Sequence, residues 1–323
     1  MIPLIAYLVG RLARPARKGL WGFLEVILHI GAHRTGSSSL QKALQRNRQN
    51  LRKNGVAVWG PQDTRGGLFS GMLRQARPGD QARTRLIERN RGLIAIELER
   101  LKTRGIKTLL VSEENIIGSM IGNLRTGLLY PGLEARLAPF ASVFRGHLCR
   151  VGLAIRPYGS YWASVLGYGL RTGRMLPDAE MLDHLAAQPR PWRRVVADVA
   201  RAFPGSSVVV WEFDRLIGRP QAQYRLLTNG ARGWIPPMAE KCNASMGRAE
   251  LRTLLEARCM ADRAAEIAPG DGPYQPFSAH HLVLFEEQYS TDLDWLRAQG
   301  GGGVRLDENN GPDGGQFIKR GFG

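Results

Sequence analysis

With 323 residues and 43% hydrophobic content, the chain suffices for one large α/β domain or at most two smaller ones. Its formal net charge is +17, and only seven of the 45 basic residues are Lys, which suits either an anionic partner (nucleotide, acidic glycan, lipid head group, nucleic acid) or a solvated Arg-rich surface. Cys149, Cys242 and Cys259 have no metal-ligand spacing and cannot make a full disulfide set, which excludes a cysteine-built metal centre and a stapled framework.

The first segment, "MIPLIAYLVGRLARPARKGLW", runs from apolar to basic. A secretory signal has the opposite order, and a membrane span needs about twenty apolar residues. Residues 1–20 therefore fit a weak membrane-surface anchor or a frayed terminus, and the protein is expected to be cytoplasmic, at most peripheral to a membrane. Short apolar runs predict strands at 26–30 ("VILHI"), 56–59 ("VAVW"), 107–112 ("KTLLVS"), 149–155 ("CRVGLAI") and 206–213 ("SSVVVWEF"). Helical spacing predicts one helix over 39–55, a long one over 80–105, others over 132–144 and 158–171, and two within 177–203 separated by "QPRPW". This alternation predicts an α/β fold with a doubly wound, mainly parallel sheet and helices on both faces. The expected layout is an extension at 1–24, one domain at 25–298 and a loose Gly-rich tail at 299–323. In such folds ligands sit beyond the C-terminal ends of the strands.

The first strand is followed by "GAHRTGSS", Gly31 to Ser38. The Gly31-x4-Gly36 spacing matches a nucleotide phosphate loop, but position 37, where an ATP-binding loop has Lys, is Ser. What remains is a run of backbone amides opening a helix, aimed at an anion and favoured by the helix dipole. Thr35, Ser37, Ser38 and Ser39 add hydroxyl donors, and Arg34 supplies a cation. After the strand at 149–155, Arg156 and Ser164 lie roughly two helical turns apart, so a cation at a strand end and a helix hydroxyl can converge on one anion. After the strand at 107–112 come Glu113 and Glu114, either helix-start acids or candidates for a general base.

The stretch "ILHIGAHRTGSSSLQKAL" resembles the 5′-phosphosulfate loop of sulfotransferases, whose fold is P-loop-like and whose donor is 3′-phosphoadenosine 5′-phosphosulfate (PAPS). Bacterial members carry Gly-x-His-Lys/Arg-Thr-Gly, three Ser/Thr, a hydrophobic residue and Gln at this place. The resemblance implies that Thr35, Gly36, Ser37, Ser38 and Ser39 hold the phosphosulfate, with Arg34 on the bridging and sulfuryl oxygens. It also implies that the Arg156-x7-Ser164 spacing marks the 3′-phosphate site. The family's Ser-x-Glu triplet, matched here by Ser112 to Glu114, implies Glu114 as the base that takes the acceptor's proton, with Glu113 second and His33 a further candidate. In this family a polar loop before the last helices closes over the cofactor, which brings in Lys241 and Ser245, and more weakly Asn243. Tyr289, Leu293 and Trp295 match a terminal packing segment, and Glu212 a structural turn. The implied activity is sulfuryl transfer from PAPS, without a metal, to a hydroxyl on a small molecule or a glycan, with no specific nucleic acid. The acceptor pocket is expected among 60–80, 115–130 and 165–190. Two rival readings are a P-loop kinase or NTPase, weakened by the missing Lys, and a non-catalytic polyanion binder that exploits the charge.

Overall fold

The computed structural model describes residues 23–74, 79–174, 176–230, 233–236, 245–299 and 303–308. The terminal segment read as an anchor, and Lys241 and Asn243, lie outside the described residues.

Runs of Val, Leu and Ile form the strands β1 (Glu25–His29), β2 (Val56–Trp59), β3 (Thr108–Ser112), β4 (Leu148–Ile155), β5 (Ser207–Glu212) and β6 (Val304–Asp307). All six pair in parallel, in the order β2-β3-β1-β4-β5-β6. Every residue of β2 and β3 is buried, as a parallel sheet covered on both faces requires. Alternate strand residues feed two separate cores. Val26, Leu28, Leu109, Val111, Val151 and Leu153 face one, while Ile27, Leu110 and Ala154 face the other. The first core is closed by α2 (Gln81–Thr103), α3 (Leu133–Val143), α4 (Tyr158–Arg171), α5 (Trp192–Ala202) and α7 (Ala279–Ala298). The second is closed by α1 (Ser37–Arg46) and α6 (Pro220–Thr228). The doubly wound reading therefore stands. Among the described residues no helix is long and apolar enough to cross a membrane.

Two expectations change. The single helix over 39–55 is α1 plus a short helix, Arg48–Lys53. The break falls at Asn47, whose side-chain amide donates to the Ala43 carbonyl (2.8 Å). Asn offers such a local alternative to the helical bond. The expected loose tail contains β6, which pairs with the outer edge of β5 from Val208↔Val304 to Trp211↔Asp307. Alternation explains it: Val304 packs inward and Arg305 points to solvent.

The helical layer is tied by a buried carboxylate. Asp292 on α7 has no exposed surface and accepts from the Tyr158 hydroxyl, from Trp192 N (2.9 Å) and from Arg193 Nη1 (2.6 Å). Nearby, the buried Tyr289 donates to Glu212 Oε2 (3.2 Å), in keeping with packing and structural roles for the pair. Asp292→Ala leaves the Tyr158 hydroxyl proton buried without an acceptor and Arg193 without its carboxylate, while the Trp192 amide keeps only the Tyr158 oxygen. It should lower the unfolding free energy by about 3 kcal/mol, measured by urea titration.

Candidate functional site

β1 lies between β3 and β4, so the chain that follows leaves at the C-terminal edge of the sheet. The ladder with β4 continues past the strand: Ile30 N donates to Gly152 O (3.0 Å), Ala32 N to Ala154 O (3.1 Å) and Ala154 N to Gly31 O (2.6 Å). Gly31 has φ 102, and a Cβ there would stand 3.1 Å from the Cβ of Glu114. Only glycine lets the loop pass this close to the carboxylate. Gly36, at φ 80, caps the start of α1. Thr35 Oγ1 (2.6 Å) and Ser37 Oγ (3.2 Å) both donate to the Ala32 carbonyl. In this structure the two hydroxyls hold the loop to itself. Thr35 is buried behind the loop, whereas Gly36, Ser37, Ser38 and Ser39 line a cavity of about 500 Å³. Among the described residues the amides of Thr35, Gly36 and Ser37 have no hydrogen-bond partner. They are the orphan donors of a helix start.

On one side of this cavity stand two arginines. Arg34 adopts φ 61, a left-handed conformation uncommon outside glycine. Arg156 Nη1 donates to the Arg34 carbonyl (2.8 Å), and its Nε to Ser160 Oγ (2.9 Å). The Arg156 guanidinium lies 4.5 Å from the Phe213 ring centroid. Burial lowers its pKa to about 10, which leaves it charged at neutral pH. Arg34 reaches Ser164 Oγ through Nε (2.8 Å) and Ser245 Oγ through Nη2 (3.0 Å). Ser164 and Ser245 are themselves 2.6 Å apart. Arg34, Arg156, Ser164 and Ser245 thus form one cluster, which also borders a smaller cavity of about 160 Å³. In this arrangement Arg34 leans towards Ser164 rather than over the loop.

On the other side, Glu114 accepts from Gln41 Nε2 (2.6 Å) and Arg65 Nη2 (2.7 Å). Burial pushes its pKa up, but His33, Gln41 and Arg65 outweigh burial and hold the carboxyl below its ordinary value. Glu114 is therefore ionised, faces the cavity and can accept a proton. Glu113 behaves differently. It is fully buried and accepts from Thr64 Oγ1 (2.7 Å), Arg65 Nε (3.0 Å) and the Asn115 amide (3.0 Å). It does not line the cavity and acts as a structural cap. His33 is 6% exposed; its Nε2 donates to Asn115 Oδ1 (3.3 Å) and its Nδ1 faces the Tyr130 hydroxyl (3.2 Å). Burial lowers its pKa despite Glu114. Both ring nitrogens of His33 are thus engaged, whereas Glu114 presents a carboxylate to the cavity.

The expected pocket segments all contribute: Arg65 from 60–80, Met120 from 115–130, Tyr168 and Arg171 from 165–190. Gln41, Arg65, Tyr130 and Arg171 carried no signal of their own, although Gln41 ends the loop motif. Four guanidinium groups and one carboxylate, Glu114, line the larger cavity. The site can hold an anion of two or more charged groups beside a carboxylate base. Comparison of the chain with models of protein families, with curated proteins and with solved structures finds no match.

His29, at the end of β1 below the loop, bonds Ser112 Oγ through Nδ1 (2.8 Å) and stacks on Trp211. Burial lowers its pKa from 6.5 to about 4, against the pull of Glu114. As pH falls below about 6.5 the unfolded chain binds this proton first, so stability is lost between pH 6.5 and about 4. The loss from this residue should be about 3 kcal/mol, and His29→Gln should flatten the dependence in urea titrations at pH 7 and 4.5.

Proposed function

We propose that the protein is a cytoplasmic PAPS-dependent sulfotransferase with the P-loop-like fold of that family. One observation carries the reading. A phosphate-type loop with unpartnered amides, and Ser37 in place of the ATP-binding lysine, opens into the same cavity as Arg156 and Glu114.

The residues present fit the co-substrate. The amides of Thr35, Gly36 and Ser37 would hold the 5′-phosphosulfate, while Arg156, Ser164 and Ser245 would hold the 3′-phosphate. When bound, PAPS supplies the sulfuryl group: a new S–O bond forms to the acceptor oxygen as the S–O bond to the 5′-phosphate breaks, leaving adenosine 3′,5′-bisphosphate. Glu114 takes the acceptor's hydroxyl proton. Gln41 and Arg65 keep that carboxylate oriented and charged. The loop amides stabilise charge on the leaving phosphate and the sulfuryl oxygens, each such donor being worth about 3 kcal/mol in a preorganised site, and Arg34 would join them by swinging away from Ser164 and Ser245. Holding donor and acceptor in line removes much of the entropic barrier.

Calorimetry decides between this reading and a kinase. Adenosine 3′,5′-bisphosphate should bind more tightly than ATP–Mg²⁺, and Arg156→Ala should weaken it about tenfold or more. Preference for ATP–Mg²⁺ overturns the proposal. In cell extract incubated with radiolabelled PAPS, Glu114→Gln should cut label transfer by roughly 10²–10⁴-fold while nucleotide affinity persists. Salt-sensitive binding to DNA or heparin without any label transfer would instead mark a polyanion binder.

A further inference from the structure

Tyr130 borders neither cavity of the site, yet its placement is tightly determined. It is buried and adopts φ 49, a left-handed conformation uncommon for a bulky residue. Such backbone persists where neighbours over-determine it, and it clusters at functional sites. Three neighbours do so here. Asn123, on the helix Met120–Thr126, accepts from the Tyr130 amide through Oδ1 (2.9 Å). Arg190 Nε donates to the Leu129 carbonyl just before it (2.6 Å). Gly118 leaves room for the ring, since a Cβ there would stand 2.7 Å from Tyr130 Cδ1.

The Tyr130 hydroxyl serves one loop residue, His33. It accepts from the His33 amide (2.9 Å) and lies 3.2 Å from the ring Nδ1. Because His33 Nε2 donates to Asn115 Oδ1, Nδ1 is the acceptor and the Tyr130 proton points to it. The directions agree further back. Asn123 Nδ2 donates to the Tyr161 hydroxyl (2.8 Å), which donates to that of Tyr130 (3.4 Å). Burial raises the pKa of Tyr130, so the proton stays on. The residues on either side of His33 are tied from the β4 side: Ala32 N donates to Ala154 O, and the Arg34 carbonyl accepts from Arg156. His33 lies between them and is held by Tyr130 and by Asn115, which follows β3.

We propose that Tyr130 is a positioning residue of the anion loop: by holding the His33 amide and ring it aims the amides of Thr35, Gly36 and Ser37 into the cavity. The assignment of a nucleotide's 5′ end to those amides rests on the sulfotransferase reading. Packing alone is the rival role, because the Tyr130 ring also lies against His33 and Trp192. The two roles differ in what the hydroxyl does. Without it the His33 amide is buried and unpaired, and the loop must turn to recover a partner, which takes the following amides out of line.

Tyr130→Phe deletes the hydroxyl and keeps the ring. Adenosine 5′-monophosphate reports on the loop, and adenosine 3′-monophosphate on Arg156 and Ser164. In calorimetry the variant should bind the 5′ nucleotide at least about fivefold more weakly, and the 3′ nucleotide within about twofold of wild type. Tyr161→Phe removes a buried hydroxyl one bond further from the loop and should change neither by more than about twofold. In wild-type protein at pH 7, nitrogen NMR of the histidine rings should show His33 neutral with its proton on Nε2, the signal being assigned by its loss in His33→Gln. Tyr130→Phe should shift the Nδ1 resonance. Equal weakening of both nucleotides, no weakening, an equal 5′ loss in Tyr161→Phe, an unmoved Nδ1 resonance or a wild-type His33 proton on Nδ1 would each overturn the proposal. The last of these needs no folded variant. Should wild-type protein bind neither nucleotide, the sulfotransferase reading falls, and inorganic pyrophosphate replaces the 5′ nucleotide as probe. The role of Tyr130 then stands only if Tyr130→Phe weakens pyrophosphate binding by the same factor.

Discussion

The parallel pairing of β1 on both edges governs the rest of the molecule. A strand flanked by β3 and β4 has no open side, so the chain after His29 must leave at the C-terminal edge of the sheet. The bonds that tie Ile30, Gly31 and Ala32 to β4 then fix where the loop turns. Because β3 and β4 end beside it, Glu114 and Arg156 arrive on either side of that loop without any long connection. The loop passes close to Glu114 because Gly31 has no side chain: a Cβ there would stand 3.1 Å from the Glu114 Cβ.

Burial of charge organises the second layer. Glu113 is wholly inside, and an isolated carboxylate there would be very costly. Thr64 and Arg65 resolve this by folding the 60–68 segment down onto it. The same arginine then reaches Glu114, so a structural need delivers a cation to the cavity. Arg136 works beneath them. It donates to the carbonyls of Leu73, Asn115 and Ile116, and burial lowers its pKa to about 10. Two neighbouring glutamates of similar local sequence thereby acquire opposite roles, one sealed and one presented.

Much of this was legible. The strands were readable because parallel strands buried on both faces are continuous apolar runs, as in "TLLVS". The helix 158–171 was readable from its spacing and from Pro157 before it. β6 was not, because four residues after a glycine run carry too little pattern to stand out, and its pairing depends on an open edge far away in sequence. Where the Thr35 and Ser37 hydroxyls point was not legible for a related reason: a hydroxyl in a loop can face a ligand or its own backbone, and here both bond the Ala32 carbonyl.

By itself the sequence determined the order of strands and helices, the amide-rich loop and the identity of the ionisable groups after each strand. These follow from local periodicity, glycine placement and residue chemistry. Only the tertiary structure decided that Glu114 rather than Glu113 faces the cavity, that Arg65 bridges both, and that Arg34 rests on Ser164 and Ser245. Such choices depend on desolvation and on partners 48 to 211 residues away along the chain, and neither is written in any local pattern.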